Sequence, residues 1–384
     1  MTGSFTRRVA TGLAAFGLLA GVAAADWNAG VAAYQKKDWQ TALQEFQGVV
    51  KQNPDYAGGH FMLAKVLSNL GRDAEALKEF REAVRLEPGN AGYAVAAAQA
   101  LVDQGHAAEA AGVLQGIAVD GLKPAQKAAV LVAKGQVALA QNNTSQAIEL
   151  GKQATQVDSG NAEAWGLLGN AYSRADRNAE AFEAYRRGFD LSGNTTLGRN
   201  AVAAGTRAAR LASGAQKRTL YDGVAAVATK LAERRGGPEG ALMAAEALLG
   251  AQNFNEALAW LDRSGLDNAL VLYYRGQCYL GKENLAEAEA NFRKALAKGP
   301  QAELRRQIYT SLGFVLDKAK RYQEAAQAYE QAGNSTKVAE MKNKQALAEQ
   351  NKKADEEAAR MKKLEELQRQ YQSIGGAPTP PPSR

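Results

Sequence analysis

The 384-residue sequence predicts an all-α fold: a superhelical solenoid of antiparallel helix pairs with a C-terminal charged helix. Three observations carry this. A small residue followed twelve positions later by an alanine recurs eight times: Gly30/Ala42, Ala64/Ala76, Ala98/Ala110, Gly135/Ala147, Gly169/Ala181, Ala245/Ala257, Gly276/Ala288 and Gly313/Ala325. Four residues past each alanine stand Phe46, Phe80, Leu114, Gly151, Tyr185, Leu261, Phe292 and Tyr329, of which seven are bulky and apolar. After residue 335 this pattern stops, and 336–374 becomes dense in Lys, Glu, Gln and Ala, all good helix formers.

The first 25 residues are of another kind. Arg7 and Arg8 precede a short apolar run, Val9 to Val22, and Ala23-Ala24-Ala25 supplies small residues for cleavage before Asp26. This reads as a secretory signal over 1–25. A membrane anchor is the alternative, but the run is short of the ~20 apolar residues a spanning helix needs. No cysteine stands near the cut to carry a lipid, so the mature protein is expected to be exported, soluble and periplasmic. The net charge of +7 includes the two leader arginines, which leaves the mature chain mildly basic. That balance does not by itself call for nucleic acid. The one cysteine, Cys278, excludes an intramolecular disulfide, so the fold must rest on packing.

The eight alanines are 34, 34, 37, 34, 76, 31 and 37 residues apart. Each interval accommodates two helices and two turns, and the interval of 76 is two units long. A degenerate ninth unit is therefore expected near 195–235. Polar turns such as "NLGRD" (69–73) and "GKEN" (281–284) separate the helices of a unit. Twelve past the alanine, Pro54, Pro88 and Pro300 close three units, because proline lacks the N–H that would continue the second helix. A lone helix pair cannot bury its apolar face, whereas stacked pairs can. The expected organisation is five units over 26–193, the degenerate unit over 194–236, three units over 237–334, a charged helix over 335–374 and a flexible Gly/Pro tail over 375–384.

On these marks the chain resembles the tetratricopeptide repeat family. The match is fullest in "AGGHFMLAKVLSNLGRDAEALKEFREAVRLEPGN" (57–90) and "AEAWGLLGNAYSRADRNAEAFEAYRRGFDLSG" (162–193), and it extends over roughly 26–333. The resemblance implies a groove lined by the first helices, with contact positions three before and one after the small residue. The earlier position holds Trp27, Phe61, Val95, Val132, Gly166, Leu242, Tyr273 and Thr310. The later one holds Val31, Lys65, Gln99, Gln136, Asn170, Glu246, Gln277 and Phe314. Side-chain amides both donate and accept hydrogen bonds, which suits an extended peptide. Packing or plain solvation is the alternative role for these residues. Only Lys65 and Arg174 could clamp a C-terminal carboxylate, and they lie several units apart.

The segment 186–235 carries ten Lys and Arg against three acids. Arg199, Arg207, Arg210, Lys217, Arg218, Arg234 and Arg235 are its candidate docking surface for an anionic partner; a solvated face is the alternative. In the C-terminal helix, Val338, Met341 and Leu347 are expected to cap the last repeat. Leu364, Leu367, Tyr371 and Ile374 make an apolar seam too short to commit to a coiled coil.

His60, His106 and Cys278 fall in different repeats, and no set of about four clustered ligands suggests zinc. No catalytic residue, cofactor or metal is expected. Two functions remain. One is a periplasmic scaffold binding a protein or extended peptide in its groove, within an envelope assembly. The other is an envelope-polymer factor, holding polysaccharide or peptidoglycan through the basic middle. Nucleic acid is not expected as a partner.

Overall fold

The computed structural model describes residues 24–373 and 375. Among them nineteen helices follow one another without a strand: α1 Ala24–Gln35, α2 Trp39–Gln52, α3 Ala57–Asn69, α4 Asp73–Leu86, α5 Ala91–Asp103, α6 Ala107–Gln115, α7 Pro124–Ala140, α8 Thr144–Val157, α9 Ala162–Arg174, α10 Asn178–Ser192, α11 Thr195–Leu211, α12 Gly214–Arg235, α13 Pro238–Gly250, α14 Phe254–Arg263, α15 Ala269–Gly281, α16 Leu285–Ala297, α17 Ala302–Lys318, α18 Tyr322–Gln331 and α19 Ser335–Ser373. The chain divides into two compact units, 1–194 and 195–384. The first holds the pairs α1–α2 to α9–α10. The second holds α11–α12 to α17–α18, followed by α19. Helices pack side by side within each pair, and each pair packs on the next in its unit. Of the expected leader, 1–23 lie outside the described residues, as do Ile374 and 376–384 of the tail.

The repeat residues explain why pairs form. All eight repeat alanines are buried, at 1% exposure or less. The small residue twelve before each lets the second helix come close. A Cβ added to Gly30 would stand 2.9 Å from the Phe46 ring, one on Gly169 2.6 Å from Tyr185, one on Gly276 2.4 Å from Phe292 and one on Gly313 2.9 Å from Tyr329. Real Cβ atoms do not tolerate such distances, so each ring occupies the volume that the missing side chain leaves. The one exception in the bulky row has a counterpart. At Gly151 a Cβ would meet Leu168 Cα at 3.2 Å, and at Gly135 one would meet Leu167 Cδ2 at 2.4 Å. In this pair, leucines of α9 fill the space that an aromatic ring fills elsewhere.

The turn inside each repeat has a backbone requirement. One residue takes a left-handed φ: Lys37, Asn142, Asp176, Gln252, Glu283 and Lys320, with Gly71 and Gly105 in the equivalent places. These eight positions lie five residues before each repeat alanine. Six of them carry a side chain there, a conformation that costs on the order of 1 kcal/mol each. Cross-repeat bonds hold successive turns. Gln104 Nε2 donates to Asp73 O at 2.8 Å, and Gln141 Nε2 donates to Ala107 O at 3.4 Å. On the second helices, Arg81 forms a bidentate pair with Glu109 of the next repeat, and Arg321 bridges Glu289 and Glu324. Exposed pairs of this kind stabilise little individually; they favour one register between neighbours.

The segment without aromatic marks forms α11–α12, of 17 and 22 residues, longer than the 13-residue α9 and α13. Apart from Leu197, the buried face of α11 is built from small residues: Gly198, Ala201, Ala204, Gly205, Ala208 and Ala209. At the C-terminal end, Met341 is fully buried and Val338 packs beside it on the last repeat. Lys344 adds an ion pair to Asp317 at 2.8 Å, and that carboxylate, with Glu340, pushes the lysine up to about 12. Leu347 departs from expectation: it is 58% exposed. The ten-residue α18 spans ~15 Å, and α19 has risen ~18 Å by residue 347, past the end of its support. Leu364, Leu367 and Tyr371 are likewise exposed.

Gly169→Val should destabilise the protein by about 2 kcal/mol, because the new methyls would overlap the Tyr185 ring. At Gly48, where an added Cβ meets nothing within 4 Å, alanine should stabilise by roughly 0.5–1 kcal/mol. Urea melts of the two variants should thus move in opposite directions. A third melt tests the one described side-chain polar atom that is buried without a hydrogen bond, the Tyr93 hydroxyl. Burial pushes its ionisation far up, and Tyr93→Phe should gain about 1 kcal/mol.

Candidate functional site

The first helices of each unit lie against one another, α5 on α7 and α7 on α9 in the first unit, α13 on α15 and α15 on α17 in the second. The face they form carries the expected groove residues. In the first unit these are Trp27, Phe61, Lys65, Gln99, Gln136, Asn170 and Arg174. The rings among them are half-buried and already in contact with neighbours. Trp27 meets Phe46 and Tyr56 edge-on at 5.5 and 5.4 Å, and Phe61 lies 6.0 Å from Phe80 and 4.8 Å from Tyr93. Each is thus part core and part surface. Val132 and Gly166 are buried outright.

The polar members differ from one another in what they already hold. Gln99 Nε2 donates to Asp103 at 2.9 Å. The Tyr185 hydroxyl donates to Asn170 Oδ1 at 2.7 Å, tying α10 to α9. Gln136, on α7, makes no side-chain hydrogen bond among the described residues and is half-buried. The two cations that might clamp a carboxylate are engaged. Lys65 Nζ sits over the rings of Tyr34 and Phe61 at 5.1 and 5.5 Å. Arg174 Nη1 donates to the Leu139 carbonyl at 2.6 Å, at the C-terminal end of α7 where the helix dipole favours a cation. His60 is a cross-tie. Its ring nitrogens lie 2.6 Å from Glu79 Oε2 and 2.8 Å from the Pro54 carbonyl.

In the second unit, Tyr273 and Thr310 line one open cavity of about 490 Å³ with Arg306, Gln307, Ser311 and Asn334. Both Tyr273 and Thr310 occupy the earlier groove position. Gln277, at the later one, donates to Ser311 Oγ at 2.8 Å and joins α15 to α17. A polar line that the sequence did not disclose continues along the same helices. Arg210 of α11 lies 3.8 Å from Glu246 of α13, and the Glu246 carboxylate lies near the Tyr274 phenol of α15. Burial first, and then that carboxylate, pushes the Tyr274 phenol well above its usual range. Glu246 and Gln277 share a repeat position, which was a usable signal. Arg210 falls in the unit that lacks the repeat marks, so its sequence position carries no such signal.

The expected basic surface spans both helices of the α11–α12 pair. Arg199, Arg207, Arg210, Lys217, Arg218 and Arg234 are exposed; the Arg235 side chain lies outside the described residues. Among the described residues, Arg199, Lys217 and Arg218 have no carboxylate within ion-pair distance. Most arginines elsewhere do, as in Arg72–Glu75, Arg177–Glu180 and Arg293–Glu324. No group of three His, Cys, Asp or Glu among the described residues is placed to hold a metal ion. No helix among them is long and apolar enough to cross a membrane.

Three family models described as tetratricopeptide repeat match the chain, one at 138–194, one at 57–90 and 269–302, and one at 7–57. No curated protein matches it. Similar solved structures include a tetratricopeptide repeat protein from Parabacteroides merdae, 13% identical, covering 77% of this chain and 98% of its own, with a TM-score of 0.38. Pseudomonas aeruginosa pilF is 18% identical and covers 61% of this chain and 96% of its own, at 0.45. MamA from Desulfovibrio magneticus is 18% identical and covers 44% and 94%, at 0.38. At these scores the likeness carries no argument about partner or pathway.

Cys278 lies on α15, two residues past Gly276, and is fully buried. Burial pushes its thiol up to about 12, against the opposing pull of Arg275 and Lys282. The thiolate is the reactive form. The folded protein should therefore resist alkylation at pH 8 and react fully once unfolded in urea, as read by mass spectrometry.

Proposed function

Because this chain is a tetratricopeptide-repeat protein, we propose that it is a non-catalytic scaffold holding a protein or extended peptide on the face of its first helices. Such repeats are protein–protein interaction modules, and the fold leaves the identity of the partner to the site. The observation that carries the reading is the cavity of the second unit. Two residues at family groove positions, Tyr273 and Thr310, line it beside Gln307, Ser311 and Arg306. One wall is aromatic and the others are hydrogen-bonding, a combination that grips a side chain and a peptide backbone together. Gln136 offers an uncommitted amide on the corresponding face of the first unit.

The proposed setting is the periplasm, within an envelope assembly. Its support is the leader read over 1–25, with Arg7 and Arg8, the run Val9 to Val22 and the three alanines. The alternative, an anionic polysaccharide or peptidoglycan held by the basic middle, has charge alone behind it. From 199 to 219 there is no aromatic ring to stack on a sugar.

A photo-crosslinker placed in cells at Gln136 or Tyr273 should capture one defined partner. The same crosslinker at Lys78, exposed on α4, should not. With that partner in hand, Gln136→Arg should weaken binding about tenfold while the melting temperature holds, and Tyr273→Ala should weaken it as much with a lower melting temperature, because its ring also packs against Phe292. A partner bound equally well by both variants would refute the groove reading.

A further inference from the structure

We propose that the tip of the α11–α12 hairpin docks on an anionic phospholipid surface, which goes beyond the groove reading and does not depend on it. The tip is residues 210–219, "RLASGAQKRT", with three cations and no acid. Every residue in it except Ala212 is exposed. Ala212 and Ser213 alone join the two helices, and Gly214 turns the chain with φ +54°. The tip is therefore a short, closed knuckle. No side chain of α12 is buried before Val224, so its first six residues, ~9 Å of helix, carry no core. The other helix pairs need no such extension to pack.

Leu211 stands at this knuckle and is 83% exposed, the most exposed large apolar side chain described. Lys217 and Arg218 follow it in the first turns of α12, exposed and without a carboxylate partner among the described residues. Arg210 precedes it and is held only loosely, 3.8 Å from Glu246. An uncovered leucine among uncompensated cations fits the boundary between lipid headgroups and acyl chains: the leucine enters and the cations meet phosphates. Single-stranded nucleic acid would favour aromatic platforms, and the tip has none. An acidic protein or polymer would use the cations and leave Leu211 without a role. Leu211 thus favours lipid over purely ionic partners.

The test is flotation of the mature full-length chain with vesicles of phosphatidylcholine alone or mixed with phosphatidylglycerol. Binding should require phosphatidylglycerol and weaken with salt. Leu211→Asp and the double change Lys217→Glu/Arg218→Glu should each reduce it about tenfold, whereas Leu211→Phe should keep it. All three sites are exposed, so circular dichroism should be unchanged. Gln136→Arg and Tyr273→Ala should leave flotation intact, which separates failure here from failure of the groove. Absent flotation, or equal flotation on phosphatidylcholine alone, overturns the proposal. So does a Leu211→Asp protein that floats like wild type while the charge variant does not; that result, with binding to polyglutamate, would assign the tip to a purely ionic partner.

Discussion

The helix pairs of this protein depend on one close approach, that of a glycine or alanine on a first helix to a ring or leucine on the second or, at Gly135, on the next first helix. A single pair formed this way buries little. Repeated at intervals of about 34 residues, it sets the separation of the helices and therefore fixes the surface each pair offers the next. Two paired helices can sit this close only where both the small residue and the alanine twelve later lack bulk. In the second and third repeats Ala64 and Ala98 replace glycine, and Phe80 and Leu114 remain buried against them. The candidate face follows from this constraint. The positions three before and one after the small residue lie roughly 60–100° round the helix from it, on the flank where first helices meet first helices.

The helix pairs were legible because the constraint is periodic and the residues that satisfy it are few. Less legible were features that a different neighbour satisfies. Gly151 looked like a lapse in the bulky row until Leu168 proved to fill its space from the next pair, as Leu167 fills that at Gly135. The left-handed turn residue recurs with the alanine, yet Lys37, Glu283 and Lys320 stand there as readily as Gly71. The backbone demand leaves almost no mark on residue type because the surrounding packing outweighs its cost. Leu347 was not legible as exposed because its apolar character says nothing about where the helix's support ends.

The candidate face was legible as positions and less so as chemistry. The resemblance to the repeat family put the amides of Asn170 and Gln277 at contact positions. It did not show that Tyr185 and Ser311 already engage them. Such bonds convert apparent recognition residues into ties between helices, which leaves Gln136 and the cavity beside Tyr273 as the open parts of the face. Charge divides along similar lines. Arginines on the second helices mostly meet a glutamate of their own or a neighbouring repeat, whereas the α11–α12 tip has cations with no such partner. The pair that lacks the repeat's aromatic marks is also the pair whose tip cations are left for something outside the chain.

The most direct test of the packing constraint is native-state amide hydrogen exchange resolved along the chain. The account predicts slowest exchange around the small residue and the repeat alanine of each pair, as at Gly169 and Ala181. It predicts fast exchange in 214–219 and in α19 beyond residue 346, where no core backs the helix. Equal protection of α19 along its whole length, or repeat alanines exchanging as fast as the turns, would contradict it.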